Sequence, residues 1–347
     1  MKKILFGICT EGSGHTIQAI ATKQFLKKYN YDVSCVLCAE KKVGLPKFFT
    51  DEFNVVTFEG FDFVFDSESR VIIWKTILKN VLELPRLIYA FIKICKTIKR
   101  ENPDTIVNFY EPLIGLSALL FPKINYISIS HQNAVTLDVY PKISGYFVQK
   151  FFLRLINWVT TIRSKKVALS YYEFNDESVI CCPPVLRQSS YDKSDKNEDF
   201  VLIYLMNQDM LPGLIDEAIR HPEINMECFT RLTKEFVCPR NLKLHKLDGK
   251  LFQEKMKVCK AVICSGGFET SAEAILNNKP LLMVPLPNHY EQYANCNDVE
   301  KHHLGTYSKK IELHKLPNKQ YGKTEWFYCV ENKLKQIFNI NESTHKW

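Results

Sequence analysis

Ser265-Gly266-Gly267, with Thr270 and Glu273 behind it, has the residue types and spacing that a phosphate and a sugar diol would use. The apolar run Ala261–Cys264 predicts a buried strand, and the glycine pair lets the backbone turn sharply into a helix beginning near Glu269 or Thr270. A helix start presents N–H groups and the positive end of the dipole, so it suits a phosphate or diphosphate. Glu273 falls within the first turn or so, where two carboxylate oxygens can accept from a vicinal diol such as a ribose. Asn277-Asn278 predicts the helix end, and residues 281–284 predict the next strand. Pro285 and Pro287 stiffen a loop that delivers His289, Glu291, Gln292 and Asn295, donors and acceptors suited to sugar hydroxyls and a phosphate. A plainer reading stands beside this one: Glu273 a solvated helix residue, and the glycines an ordinary turn between strand and helix.

A second cluster lies near the N-terminus. Residues 4–9 predict a strand, Thr10-Glu11-Gly12-Ser13-Gly14-His15-Thr16 a loop, and residues 17–28 a helix. A dinucleotide site would need a third glycine where Ile17 stands, although Glu40 is placed where a ribose-binding acid would sit. Residues 103–108 predict a strand with Glu111 in the loop at its carboxyl end, where open α/β sheets bind ligands. Glu111 is therefore the carboxylate candidate for a second catalytic or acceptor-binding role, or else a helix N-cap or first-turn acid. Strand Asn125–Ser130 ends in His131-Gln132-Asn133, which makes His131 the alternative base.

The run Ser265-Gly266-Gly267, Thr270, Glu273, Lys279-Pro280, Val284-Pro285, His289, Glu291-Gln292 and Asn295 resembles the donor-binding signature of GT-B glycosyltransferases. The likeness is to the MurG-like family 28 enzymes and to the UDP-glucuronosyltransferase and macrolide-transferase types. It implies an α/β fold of two Rossmann-like domains facing across a cleft. By resemblance, Gly266, Gly267 and Thr270 hold the donor diphosphate, Glu273 grips the ribose, and Glu291 and Gln292 contact the sugar. The start of the helix near Leu251-Phe252 is then the expected place for the nucleotide base. Gly12, Gly14 and His15 resemble the N-terminal glycine loop and His of the same enzymes, on the acceptor side. A His at a helix N-terminus stays neutral because the dipole disfavours the imidazolium, so His15 could take a proton from an acceptor hydroxyl, or merely cap the helix or bind phosphate. The glycine-rich loop common after the first strand of the second domain is replaced here by Asn207-Gln208-Asp209-Met210.

A chain of 347 residues can bury two α/β cores, and its net charge of +8 is not gathered into a basic tail, which argues against a nucleic-acid arm. Twelve cysteines with no secretory signal, several inside strand-like runs such as Cys35-Val-Leu-Cys38, are expected to stay reduced in a cytoplasmic protein. The expected domains are residues 1–187, a linker 188–199, a donor domain 200–324, and a helical stretch 325–347 crossing back to the first domain. Residues 71–100 and 145–166 predict basic amphipathic helices, the first broken or kinked at Pro85. They would pack on the sheet or lie on an anionic membrane, a surface that MurG-like enzymes acting on lipids use.

The reading that follows is a hexosyltransferase of the EC 2.4 type. It moves a hexose-type sugar from an NDP-sugar, UDP by preference, to an acceptor hydroxyl, with inversion and without metal, since no Asp-x-Asp motif appears. The acceptor would be a lipid or glycan, as in cell-envelope synthesis, met at the inner membrane face, and no further cofactor is implied. A UDP-sugar epimerase on the same fold, or a non-catalytic nucleotide-sugar-binding partner at a membrane surface, are the alternatives.

Overall fold

A computed structural model describes residues 2–11, 13–39, 44–45, 47–62, 64, 72–192, 196, 198–319 and 325–340. Gly12 and Glu40 lie outside the described residues, as do parts of the expected linker and the residues beyond 340. The chain divides into two compact units. One comprises Met1–Leu137, Phe147–Arg187 and Tyr328–Trp347, the other Asp138–Tyr146 and Gln188–Phe327. Residues 138–146, inside the expected first domain, thus group with the second unit.

The first unit runs β1 (Lys3–Ile8), α1 (Gly14–Lys28), β2 (Asp32–Ala39), α2 (Lys47–Thr50), β3 (Val55–Phe58), α3 (Ile73–Leu82), α4 (Leu84–Glu101) and β4 (Thr105–Phe109). It continues through α5 (Pro112–Ser117), β5 (Asn125–Ser130), α6 (Gln132–Val135), α7 (Phe147–Thr160), β6 (Ser164–Leu169) and β7 (Ile180–Cys182). Its seven strands lie in the order β3-β2-β1-β4-β5-β6-β7, every neighbouring pair parallel. Apolar strand residues such as Leu5, Leu37 and Ile106 are buried on one face against Ile94 and Ile98 of α4 and Ile114 of α5. Gly115 permits the close approach of α5 to α7, since a Cβ there would strike the Val159 carbonyl oxygen and stand 2.7 Å from the Thr160 Cα.

The second unit runs β8 (Val201–Tyr204), α8 (Leu211–Arg220), β9 (Met226–Phe229), β10 (Leu242–His245), α9 (Gly249–Val258) and β11 (Ala261–Cys264). α10 (Phe268–Leu276), β12 (Leu281–Met283), α11 (Tyr290–Lys301), β13 (Thr306–Tyr307), α12 (Glu325–Tyr328) and α13 (Val330–Phe338) complete the chain, α13 belonging to the first unit. The six strands are ordered β10-β9-β8-β11-β12-β13 and are again all parallel. The order reverses between β1 and β4 in one sheet and between β8 and β11 in the other. Loops leaving the carboxyl ends of those strands are where such sheets bind ligands.

Two sequence expectations shift, and one strand appears that was not expected. The run 71–100 breaks at Glu83, and Pro85 falls in the first turn of α4, where its missing N–H costs nothing. The amphipathic helix expected over 145–166 stops at Thr160, because Arg163 takes φ +53 and Ser164–Lys166 pair with Tyr126–Ser128 as strand. Edge strand β3 gave no sequence signal, being four residues long. All twelve cysteines are free thiols, and both Cys35 and Cys38 are buried in β2.

Candidate active site

β11 feeds Ser265-Gly266-Gly267 into α10, which starts at Phe268, one or two residues earlier than expected, with Gly267 as its N-cap. The two glycines serve different ends. A Cβ on Gly266 would stand 2.7 Å from the Gln292 carbonyl oxygen, 2.8 Å from the Gln292 Cβ and 3.0 Å from the Cys296 sulfur, so its bareness lets α11 pack against the turn. A Cβ on Gly267 would come no nearer than 4.0 Å to the Ser265 carbonyl oxygen, and no side chain caps α10. The space beside Gly267, where α10 begins, is therefore open. Ser265 is buried, and its Oγ accepts from the Met206 N–H at 3.0 Å, tying the β11 turn to the loop after β8. That loop, in place of a glycine cradle, is a short turn in which the Asn207 Oδ1 accepts from the Asp209 N–H at 3.0 Å. Thr270 stands half-buried in the first turn of α10.

Glu273 sits in the second turn of α10 and is 4% exposed, which removes the solvated-helix reading. Its Oε1 accepts from the Ser190 hydroxyl at 2.8 Å and from the Gln253 amide at 3.2 Å. Ser190 lies in a 3₁₀ turn, Gln188–Tyr191, at the start of the stretch read as linker. Neither partner carried a sequence signal, because each is tens of residues from Glu273. Asn278 takes φ +54 just after the helix, as the Asn-Asn pair predicts.

The loop after β12 places His289 as N-cap of α11, its Nδ1 accepting from the Gln292 N–H at 3.4 Å, which puts the ring proton on Nε2. Gln292 is buried; its Oε1 accepts from the Leu286 N–H at 2.8 Å and its amide lies 3.5 Å from the Met206 sulfur. In this conformation Gln292 positions the loop. Glu291 occupies the first turn of α11, half-buried. Asn295 does not face outward to a sugar: it is buried, donating to the Gly266 carbonyl at 3.0 Å and accepting from the Tyr140 hydroxyl at 3.0 Å. Phe252, in the α9 helix that Asp248 caps, packs on Phe229 and Tyr204 as core.

In the first unit, α1 begins at Gly14, three residues before the expected start, with Ser13 as its N-cap residue. His15 is therefore in the first turn, buried, its Nδ1 3.4 Å from the Gln18 Oε1 and its ring stacked on Tyr110 at 5.4 Å between centroids. With Nδ1–H donating to Gln18, Nε2 keeps its lone pair. Burial first, then the positive potential of His131, holds the His15 imidazole down to about 4 despite the Gln18 contact, so it is neutral at physiological pH. Tyr110, the ring partner that sequence reading missed, takes φ +62, a strained conformation for an aromatic residue. His131 is buried at the start of α6, and its Nδ1–H donates to the Leu169 carbonyl at 2.8 Å, which places a proton on Nδ1.

Glu111 proves to be the N-cap of α5, its Oε1 accepting from the Leu113 N–H at 3.2 Å. Burial pushes its carboxyl up to about 8 from an ordinary 4.5, against that one hydrogen bond. The folded protein then binds a proton that the unfolded chain has lost, so stability falls as pH rises from about 4.5 to about 8. Glu111→Gln keeps an acceptor for Leu113 and should flatten that slope, measured as melting temperature across this range. A slope unchanged from wild type would assign it to other groups. Among the described residues, no three His, Cys, Asp or Glu side chains are grouped so as to hold a metal ion.

Two parallel α/β sheets, each reversing at a central strand, with a bare helix N-terminus beside the reversal in the second, are the architecture of a GT-B glycosyltransferase. Solved structures of that fold cover nearly all of the chain at low identity. The spinosyn forosaminyltransferase SpnP is 11% identical, with TM-score 0.60, covering 99% of this chain and 96% of its own. MurG of Acinetobacter baumannii is 16% identical, with TM-score 0.55 and coverage of 97% and 93%. UGT89C1 of Arabidopsis thaliana, solved with UDP-L-rhamnose, is 12% identical, with TM-score 0.57 and coverage of 99% and 93%. No curated protein matches in direct sequence comparison. The family model of glycosyl transferase family 1 matches residues 2–321, and the chain belongs to that family. It is a glycosyltransferase.

Proposed function

We propose that the protein transfers a hexose-type sugar from a nucleotide diphosphate sugar, UDP-linked by preference, to an acceptor hydroxyl, with inversion and without a metal ion. The observation that carries this reading is the uncapped N-terminus of α10, open at Gly267, with buried Glu273 one turn behind it. UDP-L-rhamnose in UGT89C1 and thymidine diphosphate in the spinosyn rhamnosyltransferase SpnG support a nucleotide-sugar donor. In this reading the α10 N-terminus, Thr270 and the Nε2–H of His289 stabilise the diphosphate that leaves as the anomeric C–O bond breaks. Preorganised dipoles of this kind supply several kcal/mol without reorganisation. Glu273 orients the ribose, Glu291 meets the sugar, and Gln292 holds the loop that carries them. His15 Nε2 takes the acceptor hydroxyl proton as the oxygen attacks the anomeric carbon; Glu111, held as a neutral acid, orients the acceptor through its N-capped loop.

The test is calorimetric titration of the protein with UDP, GDP, TDP and their common sugars, repeated on Glu273→Gln. The substitution keeps an acceptor for Ser190 and removes the charge, so one nucleotide should bind selectively and lose about tenfold or more in affinity, the size of a charged hydrogen bond. Absence of binding by every nucleotide would overturn the proposal. Binding without turnover of any acceptor would favour the partner-protein alternative.

A further inference from the structure

The turn between β4 and α5 carries a backbone conformation that the fold does not itself require. Tyr110 takes φ +62, in the left-handed region where an L residue crowds its own Cβ and where Gly or Asn would sit with less strain. The turn is held without the tyrosine ring. Buried Asn108 accepts from the Glu111 N–H at 2.8 Å and donates to the carbonyls of Glu111 at 3.1 Å and Thr160 at 2.9 Å. The Phe109 carbonyl accepts from the Cys9 N–H at 3.0 Å. Leu113 and Ile114 of α5 fill the core, whereas Tyr110 is half-buried. Strain of this kind persists where the surroundings enforce it, and it gathers at functional sites.

What the ring meets is His15. The two ring centroids stand 5.4 Å apart with their planes inclined by 23°, an offset stack. The torsion that turns an imidazole about its Cβ–Cγ bond is broad, so a histidine needs outside contacts to hold one plane. Its hydrogen bond to the Gln18 Oε1, at 3.4 Å, lies beyond the roughly 2.7–3.2 Å of a firm bond and is too loose to do this alone. The stack fixes the plane of the ring. Within that plane the Gln18 contact selects the edge that carries Nδ1, and Nε2 is left facing the other way.

We infer that Tyr110 is a positioning residue for the transfer reaction: its ring, presented by a left-handed backbone that Asn108 locks, sets the plane of the His15 imidazole and so aims Nε2. The inference rests on the reading of His15 as base, and the test keeps the two apart. Nitrogen NMR of histidine-labelled protein, with the His15 signals assigned by His15→Gln, reads the imidazole without any substrate. In the wild-type protein His15 should show one fixed tautomer, proton on Nδ1 and lone pair on Nε2. Tyr110→Asn should let the ring turn, drawing the two nitrogen signals toward a common average, whereas Tyr110→Phe keeps the stack and should keep the wild-type spectrum. Tyr110→Asn and Tyr110→Ala both lose the ring, but only Asn accepts φ +62 readily, so the Asn variant should melt higher by roughly 2 °C or more. In release of UDP from UDP-glucose, with water standing in for the acceptor, Tyr110→Asn should lower kcat by about tenfold or more at unchanged KM, and Tyr110→Phe should restore it. An unchanged His15 spectrum in Tyr110→Asn would overturn the inference. So would a Tyr110→Phe spectrum averaged like that of Tyr110→Asn, which would place the hold in the hydroxyl. If His15→Ala releases UDP at the wild-type rate, the base reading fails, and the spectrum still decides whether Tyr110 sets the imidazole.

Discussion

Replacing His15 with Ala should lower kcat by roughly 10²–10⁴-fold, the usual worth of a positioned base, while leaving nucleotide affinity unchanged. The expectation rests on three features of this side chain. Its Nδ1 is turned to Gln18, its ring is stacked on Tyr110, and its burial keeps the imidazole unprotonated. A base held at about 4 is fully available at neutral pH but is a weaker proton acceptor than a free imidazole, so proton transfer would come late, as the new C–O bond forms. The acid limb of kcat/KM should then be centred near 4, well below the 6.5 of an ordinary histidine. Burial also means that His15 lends stability above that ordinary value, lost as pH falls through about 4. Equal losses in turnover and donor binding would make His15 a binding residue instead, and His131, whose Nδ1–H is likewise committed, would become the base to test.

Gly266→Ala and Gly267→Ala should fail in opposite ways although the residues are adjacent. At Gly266 the added methyl meets helix α11 at 2.7 Å, and the Gln292 carbonyl it meets is helical backbone that cannot give way cheaply. Overpacking of this kind costs about 1–3 kcal/mol, so the melting temperature should drop. At Gly267 the methyl enters open space, and only the loss of a glycine N-cap is felt by the fold, at most about 1 kcal/mol. There the donor should suffer, because the methyl stands over the helix N-terminus that the diphosphate needs, and affinity should fall by at least tenfold. Calorimetry alongside thermal melting separates the two. If Gly267→Ala binds the donor like wild type, the diphosphate does not approach α10.

The strands and the turn at 265–267 were legible because their signals are local: apolar runs bounded by glycine, asparagine and proline, each reporting on residues within one turn of itself. Boundaries were less so. α1 begins at Gly14 without a side-chain cap, and the end of α7 depends on Arg163 adopting a left-handed backbone that no residue type announces.

What the chain alone determined about the candidate site is which residues sit at strand ends, since hydrophobic period and turn chemistry are properties of neighbours in sequence. What each residue does there was decided by tertiary contacts. Glu273 is buried because Ser190 and Gln253 reach it from 83 and 20 residues away, Asn295 is spent on Gly266 and Tyr140, and Glu111 is an N-cap pushed toward neutrality by its surroundings. Desolvation and hydrogen bonding depend on what lies within a few ångströms, and that is fixed only when distant segments pack.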